Sequence, residues 1–361
     1  MRCSRLICLS PVLVTLIIVR QAQADKVVLV AGGGSGGTGI AAVDAKLRTP
    51  FGMDSDRSGN LYFVEMTGHR LCRIDPKGVL TTVAGSGEKG ASGDGGPAMN
   101  AIFNGMHSLA VGPNGDIFVA DTWNNRVRRI DAKTGVIAAF AGTGVKGFEG
   151  DGGPAAKAKF GGIYCVALDP HGQRLYLADL DNRRIREVNL SDGTVMTIAG
   201  NGQKGVPEDG AEATKAPLVD PRAVAVDAKG NVYILERSGH ALRVVGPQGR
   251  IRTVAGTGKA GSSGDGGDAR QATMNGPKHL CIDRDGNVVI ADTENHLIRK
   301  YLPGDNKIVR VAGTGKKGAA GVGGPADRVE LNQPHGVYVD PSGVLFIADS
   351  SNHRILKIEH K

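Results

Sequence analysis

Aromatic side chains are scarce in this chain, 4% of 361 residues with a single Trp, so the stacking platforms that bind single-stranded nucleic acid are poorly supplied. Lys and Arg outnumber Asp and Glu by only eight, and they are spread along the chain with no basic block. That balance is a solubility feature and not a nucleic-acid footprint. After residue 24 no apolar run is long enough to span a bilayer. Cysteine is rare too: Cys3 and Cys8 lie in the first 24 positions, leaving Cys72, Cys165 and Cys281. Three is an odd number, and each sits in its own apolar run, so buried free thiols are expected and not a disulfide framework. Helical periodicity is also missing throughout.

Residues 1–24 read as an export signal. Arg2 and Arg5 give a positive start, Leu6 to Val19 an interrupted apolar run, and "AQA" ends at Ala24. Cleavage there removes Arg2, Arg5 and Arg20 and lowers the formal charge from +8 to +5. The expected product is a periplasmic or extracellular protein of residues 25–361, monomeric and without a membrane span.

What the chain has in abundance is glycine, 55 residues, in a phrase that keeps returning: "VAGSGEKGASGDGGPA", "FAGTGVKGFEGDGGPA", "VAGTGKAGSSGDGGDA". The residue opening each "AG" falls at Val30, Val83, Phe140, Ile198, Val254 and Val311, at intervals of 53, 57, 58, 56 and 57 residues. Each unit runs from the glycine stretch to a short apolar strand, a Gly-containing turn, a second and nearly continuous apolar strand, a "D-x-x-N-H"-like turn, a more charged third strand and a fourth ending in "AG". Four antiparallel strands per unit, repeated six times, predict an all-β, six-bladed β-propeller of four-stranded blades. The sixth unit stops after its third strand, and "DKVVLVAG" from Asp25 is a lone fourth strand. The N-terminal strand is therefore expected to close the ring and remove the exposed edges.

The motifs "ADTWNNRVRRID", "ADTENHLIRK" and "ADSSNHRILKIE", joined to "AGTGxxGxxGDGGPA", resemble the NHL-repeat propellers of bacteria. The resemblance spans all six units and implies the fold. It does not imply a function, because that architecture carries enzymes, protein binders and sensors alike.

The glycine phrase is read as structure. "GDGGPA" is intact at 93–98 and 150–155, drifts at 264–269 and 208–213, loses its Asp to Val322 in the last unit, and has no recognisable copy in the first. A catalytic carboxylate is needed once, whereas a crossing between blades is needed every time. Asp there is expected to bond nearby backbone amides, and Gly and Pro to set the turn. Asp121, Asp179, Asp292 and Asp349 are expected to brace the second turn of their blades. Units one and four carry Glu65 with Gly68 and Glu236 with Gly239 in that turn, a change read as drift. Trp123 stands in one such turn, where exposure and ligand stacking are open to it.

Function in a repeat protein belongs where the repeats disagree. Five positions before the tight turn of each first strand stand Phe51, His107, Tyr164, Arg222, Lys278 and His335, with His279 one step further along. First strands line a propeller's channel, so these residues form the expected ring at its mouth. Two of the strands, "MHSLAVGP" and "PHGVYVDP", are similar to the channel strands of peptidylglycine-amidating lyases, a family that holds zinc with three His on alternate blades. In this sequence the alternate blades offer His107, Arg222 and His335, so the middle ligand is replaced by a cation. Gluconolactonase-like propellers hold their metal with carboxylates and Asn, and none of the six ring positions is a carboxylate. No metal or other cofactor is assigned, with zinc and calcium left open. "HSL" at 107 offers no nucleophile elbow for serine chemistry. A third reading, the sensor domain of a larger protein, is expected less because the sequence ends at Lys361 without a membrane anchor. The expected function is that of a binding module, taking a small anion at the channel mouth or a protein partner. The alternative is a lyase or lactonase that uses His107 or His335 as base and Arg222 to steady negative charge.

Overall fold

The computed structural model describes residues 25–359; the expected export signal over residues 1–24 lies outside them. Among the described residues the strands form six sheets arranged as blades around one axis. Blade three shows the pattern, with Ile163–Leu168, Arg174–Asp179, Arg184–Asn189 and Val195–Ala199 following one another across the sheet. All its pairings are antiparallel. Second strands such as Leu61–Glu65 and Val288–Asp292 are buried at every residue, which is why their sequences are apolar without alternation. Between blades, Phe63, Phe103 and Phe160 have no exposed surface. Each such ring contributes about 2–3 kcal/mol through burial.

Ring closure follows the sequence. Blade six consists of Gly336–Val339, Leu345–Asp349 and Arg354–Glu359, and Lys26–Ala31 supplies its fourth strand. Lys26 stands opposite Glu359 and Ala31 opposite Ile355. Val27 and Ala31 are fully buried, so the seam is apolar as well as hydrogen-bonded.

Three expectations about the loops need correction. The first unit does carry the glycine loop. In all six units a Gly amide donates to the carbonyl of an Ala that opens a tight turn: Gly32 to Ala42 as Gly85 to Ala98, Gly142 to Ala155, Gly200 to Ala213, Gly256 to Ala269 and Gly313 to Ala326. The copy was hidden because its persistent part is this alanine and not "GDGG". The first blade also gains a short fifth strand, Ile40–Ala41, against Val79–Ala84.

Next, the Asp of the glycine phrase serves mainly a side chain and not backbone amides. Asp94, Asp151 and Asp265 pair with Arg128, Arg186 and Arg299 of the third strands, at 2.8, 2.6 and 2.8 Å. Those guanidiniums are completely buried and also donate to loop carbonyls, Arg128 to Ser92 and Ile102. Among the described residues only Asp209 of these four holds a backbone amide, that of Thr253. The loss of Asp in the last unit is compensated: where Val322 replaces it, Leu356 replaces the Arg, and Arg354 takes over the bond to the loop carbonyl at Glu330.

Finally, Glu for Asp in blades one and four is compensated and not drift. Asp121, Asp292 and Asp349 accept the backbone amides of Asn104, Asn275 and Asn332 and the side chains of Asn124, Asn295 and Asn352. Glu65 and Glu236 reach the corresponding amides of Arg48 and Val219, both at 2.7 Å. Their longer side chains fill the room of the missing Asn, and a Cβ on Gly239 would sit 2.6 Å from Glu236 Oε2. Cys72, Cys165 and Cys281 are free thiols as expected, the first two buried and Cys281 half-buried.

Candidate functional site

The mouth ring is built by irregularity at the start of the first strands. In blade three Ile163 pairs with Asp179 and Cys165 with Ala178, leaving Tyr164 as a bulge residue. In blade four Pro221 pairs with Glu236 and Ala223 with Leu235, leaving Arg222 over. Blade one slips likewise between Pro50 and Met53, at Phe51 and Gly52. A bulge re-aims its side chain, and that turns the ring residues out of the blade pattern. In the other blades His107, Lys278 and His335 stand just before the regular strands Leu109–Val111, His279–Ile282 and Gly336–Val339.

All six residues meet. The Phe51 ring stacks on His335 at 4.2 Å and meets His107 edge-on at 5.1 Å. His107 meets Tyr164 at 4.7 Å, and the Arg222 guanidinium lies 4.4 Å over the Tyr164 ring. Lys278 Nζ is 3.2 Å from His335 Nε2, and the two cations Arg222 and Lys278 end the chain of contacts, acting on each other through charge. His279 does not join it. Its Nδ1 accepts from the Val337 amide, and its side chain borders a cavity of about 210 Å³ further along the axis. First strands of all six blades line that cavity, which identifies it as the central channel.

Hydrogen bonds fix the tautomers of two histidines. His107 Nδ1 lies 2.6 Å from the Gly105 carbonyl and His335 Nδ1 2.8 Å from that of Gln333. A carbonyl can only accept, so both Nδ1 atoms carry the proton and both Nε2 atoms a lone pair. Burial, with Arg222 beside His107 and Lys278 beside His335, holds both rings well below the ordinary histidine range. Arg222 is 4% exposed, and burial pushes it down to about 10, still a cation at neutral pH. Among the described residues its one hydrogen bond runs to the Tyr164 carbonyl at 3.2 Å, and its buried Nε has no partner. Lys278 is lowered by burial and by Arg222, against the opposing carboxylate of Glu294 at 2.6 Å.

A second variable ring, missed in the sequence, supports the first. It stands two residues after the turn Asp or Glu and leans on the residue seven before the tight turn. Where the latter is Gly105 or Gly276, the former is large: Trp123 or Glu294 lies over it so closely that a Cβ would be 2.3 or 2.7 Å away. Where the latter carries a side chain, the former is a small hydroxyl: Ser238 bonds Asp220, Ser351 bonds Gln333, and Thr67 bonds Thr49. Trp123 is 45% exposed and meets His107 edge-on at 5.6 Å. The signal was available, since these positions disagree among units as the first ring does. His69, His240, His296 and His353 have left-handed backbones and accept the amides of Gly105, Gly276, Gln333 and Thr49 in the next blade, so they tie neighbouring mouths together.

The arrangement is a neutral aromatic wall of Phe51, His107, Tyr164 and Trp123 facing two cations, Arg222 and Lys278. Among the described residues it offers hydrogen-bond acceptors, an unbonded Nε2 on His107, and a guanidinium without a counter-ion. Among the described residues no three His, Cys, Asp or Glu side chains converge as a metal site would need.

The NHL repeat family model matches residues 103–130, 274–301 and 331–358, in blades two, five and six. Three blades of this six-bladed propeller therefore match the NHL repeat. The plant protein SUPPRESSOR OF QUENCHING 1, chloroplastic, of Arabidopsis thaliana is 28% identical over 87% of this chain and 30% of its own length. The chain spans less than half the length of the curated relatives it matches first. Among solved structures, an auxiliary nutrient binding protein from Bacteroides thetaiotaomicron superposes with a TM-score of 0.66 at 16% identity, covering 93% of this chain and 77% of that one. A virginiamycin B lyase from Staphylococcus aureus gives 0.52 at 13% identity, over 87% of this chain and 97% of that one. At such identities the likeness is one of fold.

Proposed function

We propose that this NHL propeller is an exported binding protein that takes a small organic acid at the mouth of its channel. The observation that carries the reading is Arg222, a buried guanidinium with an unpartnered Nε and no carboxylate paired to it among the described residues. A buried cation without a counter-ion is costly, and a bound carboxylate would supply the missing charge through a bidentate fork. Lys278 adds a point charge, and the aromatic wall suits the flat or C–H face of a ring. The nutrient-binding description of one structural neighbour agrees in kind.

Isothermal titration with a panel of sugar acids, aromatic acids and phosphates tests this. At least one acid should bind, and Arg222→Gln should weaken it tenfold or more, since a charge-assisted hydrogen bond is worth about 1.5–3 kcal/mol. Absence of binding by any acid, or equal binding by the variant, would overturn it. Export is tested separately by mass spectrometry of the mature chain, expected to begin at Asp25.

One observation favours a second reading, a lyase-type enzyme. His107 is neutral, and its Nε2 has no hydrogen bond among the described residues, as a general base requires. His335 is a poorer base because Lys278 occupies its Nε2. Turnover of a bound acid by the wild type, abolished in His107→Ala with binding retained, would establish this reading. Recovery of the acid unchanged would sink it.

A further inference from the structure

Outward from Arg222, the face that carries the mouth opens into a groove of about 500 Å³ between blades three and four. Its floor is Val219 and Asp220, the two residues that lead into Pro221 and Arg222, so groove and mouth are continuous along the chain. Four cations line it: Lys146 and Lys204 from successive glycine loops, Arg183 from the turn of blade three and Arg237 from the turn of blade four. Lys146 is paired with Asp181 at 2.7 Å and Arg237 with Asp220 at 2.8 Å. Arg183 and Lys204 have no ion pair among the described residues, so the groove holds two uncompensated positive charges. Arg237 links the two regions, because its charge acts on both Arg222 and Lys278.

Resting on the binding reading above, we infer that the ligand is an acidic oligosaccharide, with one carboxylate on Arg222 and the next sugar acid in the groove between blades three and four. Cations placed at intervals along a track match carboxylates at intervals along a chain. The rings at the inner end decide the class. Tyr164 lies under Arg222, with His107 and the half-exposed Trp123 beyond, and sugar C–H faces pack on such rings while their hydroxyls find Asp181, Asn182 and Ser238 along the groove. A polyphosphate would engage the cations and leave the rings unused.

The test compares galacturonate, its linear tetramer, neutral maltotetraose and tripolyphosphate by isothermal titration on the mature chain. The tetramer should bind at least tenfold more tightly than the monomer, because the second acid group binds at millimolar effective concentration. Arg183→Ala combined with Lys204→Ala should remove about threefold to tenfold of that gain, as expected for exposed charges, and leave monomer affinity unchanged. Maltotetraose should not bind. Equal affinity for monomer and tetramer would overturn the groove and leave the mouth site standing. No binding of either would overturn the acidic-sugar inference, while the mouth reading falls only if every acid of the wider panel also fails to bind. Tripolyphosphate binding more tightly than the tetramer, with dependence on Lys204, would overturn the sugar class.

Discussion

The Glu-for-Asp exchange in blade four makes a quantitative prediction, because the structure shows both halves of the compensation. Glu236 is fully buried and accepts from the Val219 amide and twice from Arg243, which also donates to Thr253. Gly239→Asn alone places atoms where the Glu236 carboxylate already is, 2.6 Å from the new Cβ, and should cost about 1–3 kcal/mol by overpacking. Glu236→Asp alone draws the carboxylate back and strands a buried donor, for about 1–3 kcal/mol. Together they rebuild the pattern of blade five, where Asp292 holds the Asn275 amide, Asn295 bridges to the Gly261 carbonyl, and Arg299 lies 3.4 Å from the Asp. The double variant should fall within about 1 kcal/mol of the parent, a coupling of about 2–4 kcal/mol. Urea unfolding followed by circular dichroism reads this directly: each single variant should lower the midpoint by about 0.5–1 M and the double should restore most of it. If the double variant costs the sum of the two singles, the compensation is not real and the turn tolerates drift.

Other outcomes follow from the same structure. Asp94→Val should cost about 3–5 kcal/mol by stranding Arg128, and adding Arg128→Leu should recover much of that in urea unfolding, as Val322 with Leu356 does in blade six. Burial depresses His279 to about 4, below its unfolded value, so the unfolded chain binds this proton first and stability is lost as pH falls from about 6.5 toward 4. His279→Gln should flatten that part of the stability profile, and the imidazole NMR signals of His279 should titrate near 4. Removing residues 25–31 exposes the edge of Arg354–Glu359 and should lower the thermal midpoint and promote self-association, seen by light scattering.

Fold and ring were legible because repetition averages out what a single strand cannot say. A 53–58-residue spacing, a lone N-terminal strand and six disagreeing side chains at one register position required no contact information. The compensated pairs were not legible as function or drift, because Asp94 and Arg128 lie 34 residues apart and meet only through the loop crossing. The inner ring was found, and its outer support was not, although Trp123, Glu294 and Ser238 occupy one equivalent position. Reading that position needs the glycines opposite it: Gly105 and Gly276 have room for a large neighbour, whereas Asp220 does not. His279 was placed with the mouth on sequence proximity alone. Strand alternation turns it toward the channel one layer further along.

The central claim is that Arg222 awaits an acid, and side-chain ¹⁵N NMR of its Nε–H tests it most directly. Titration with the acid that binds most tightly should move the Arg222 Nε signal in a saturable way with the same affinity as calorimetry. If binding saturates while the Arg222 signal stays in place, the acid sits elsewhere and the mouth is only a filled channel end.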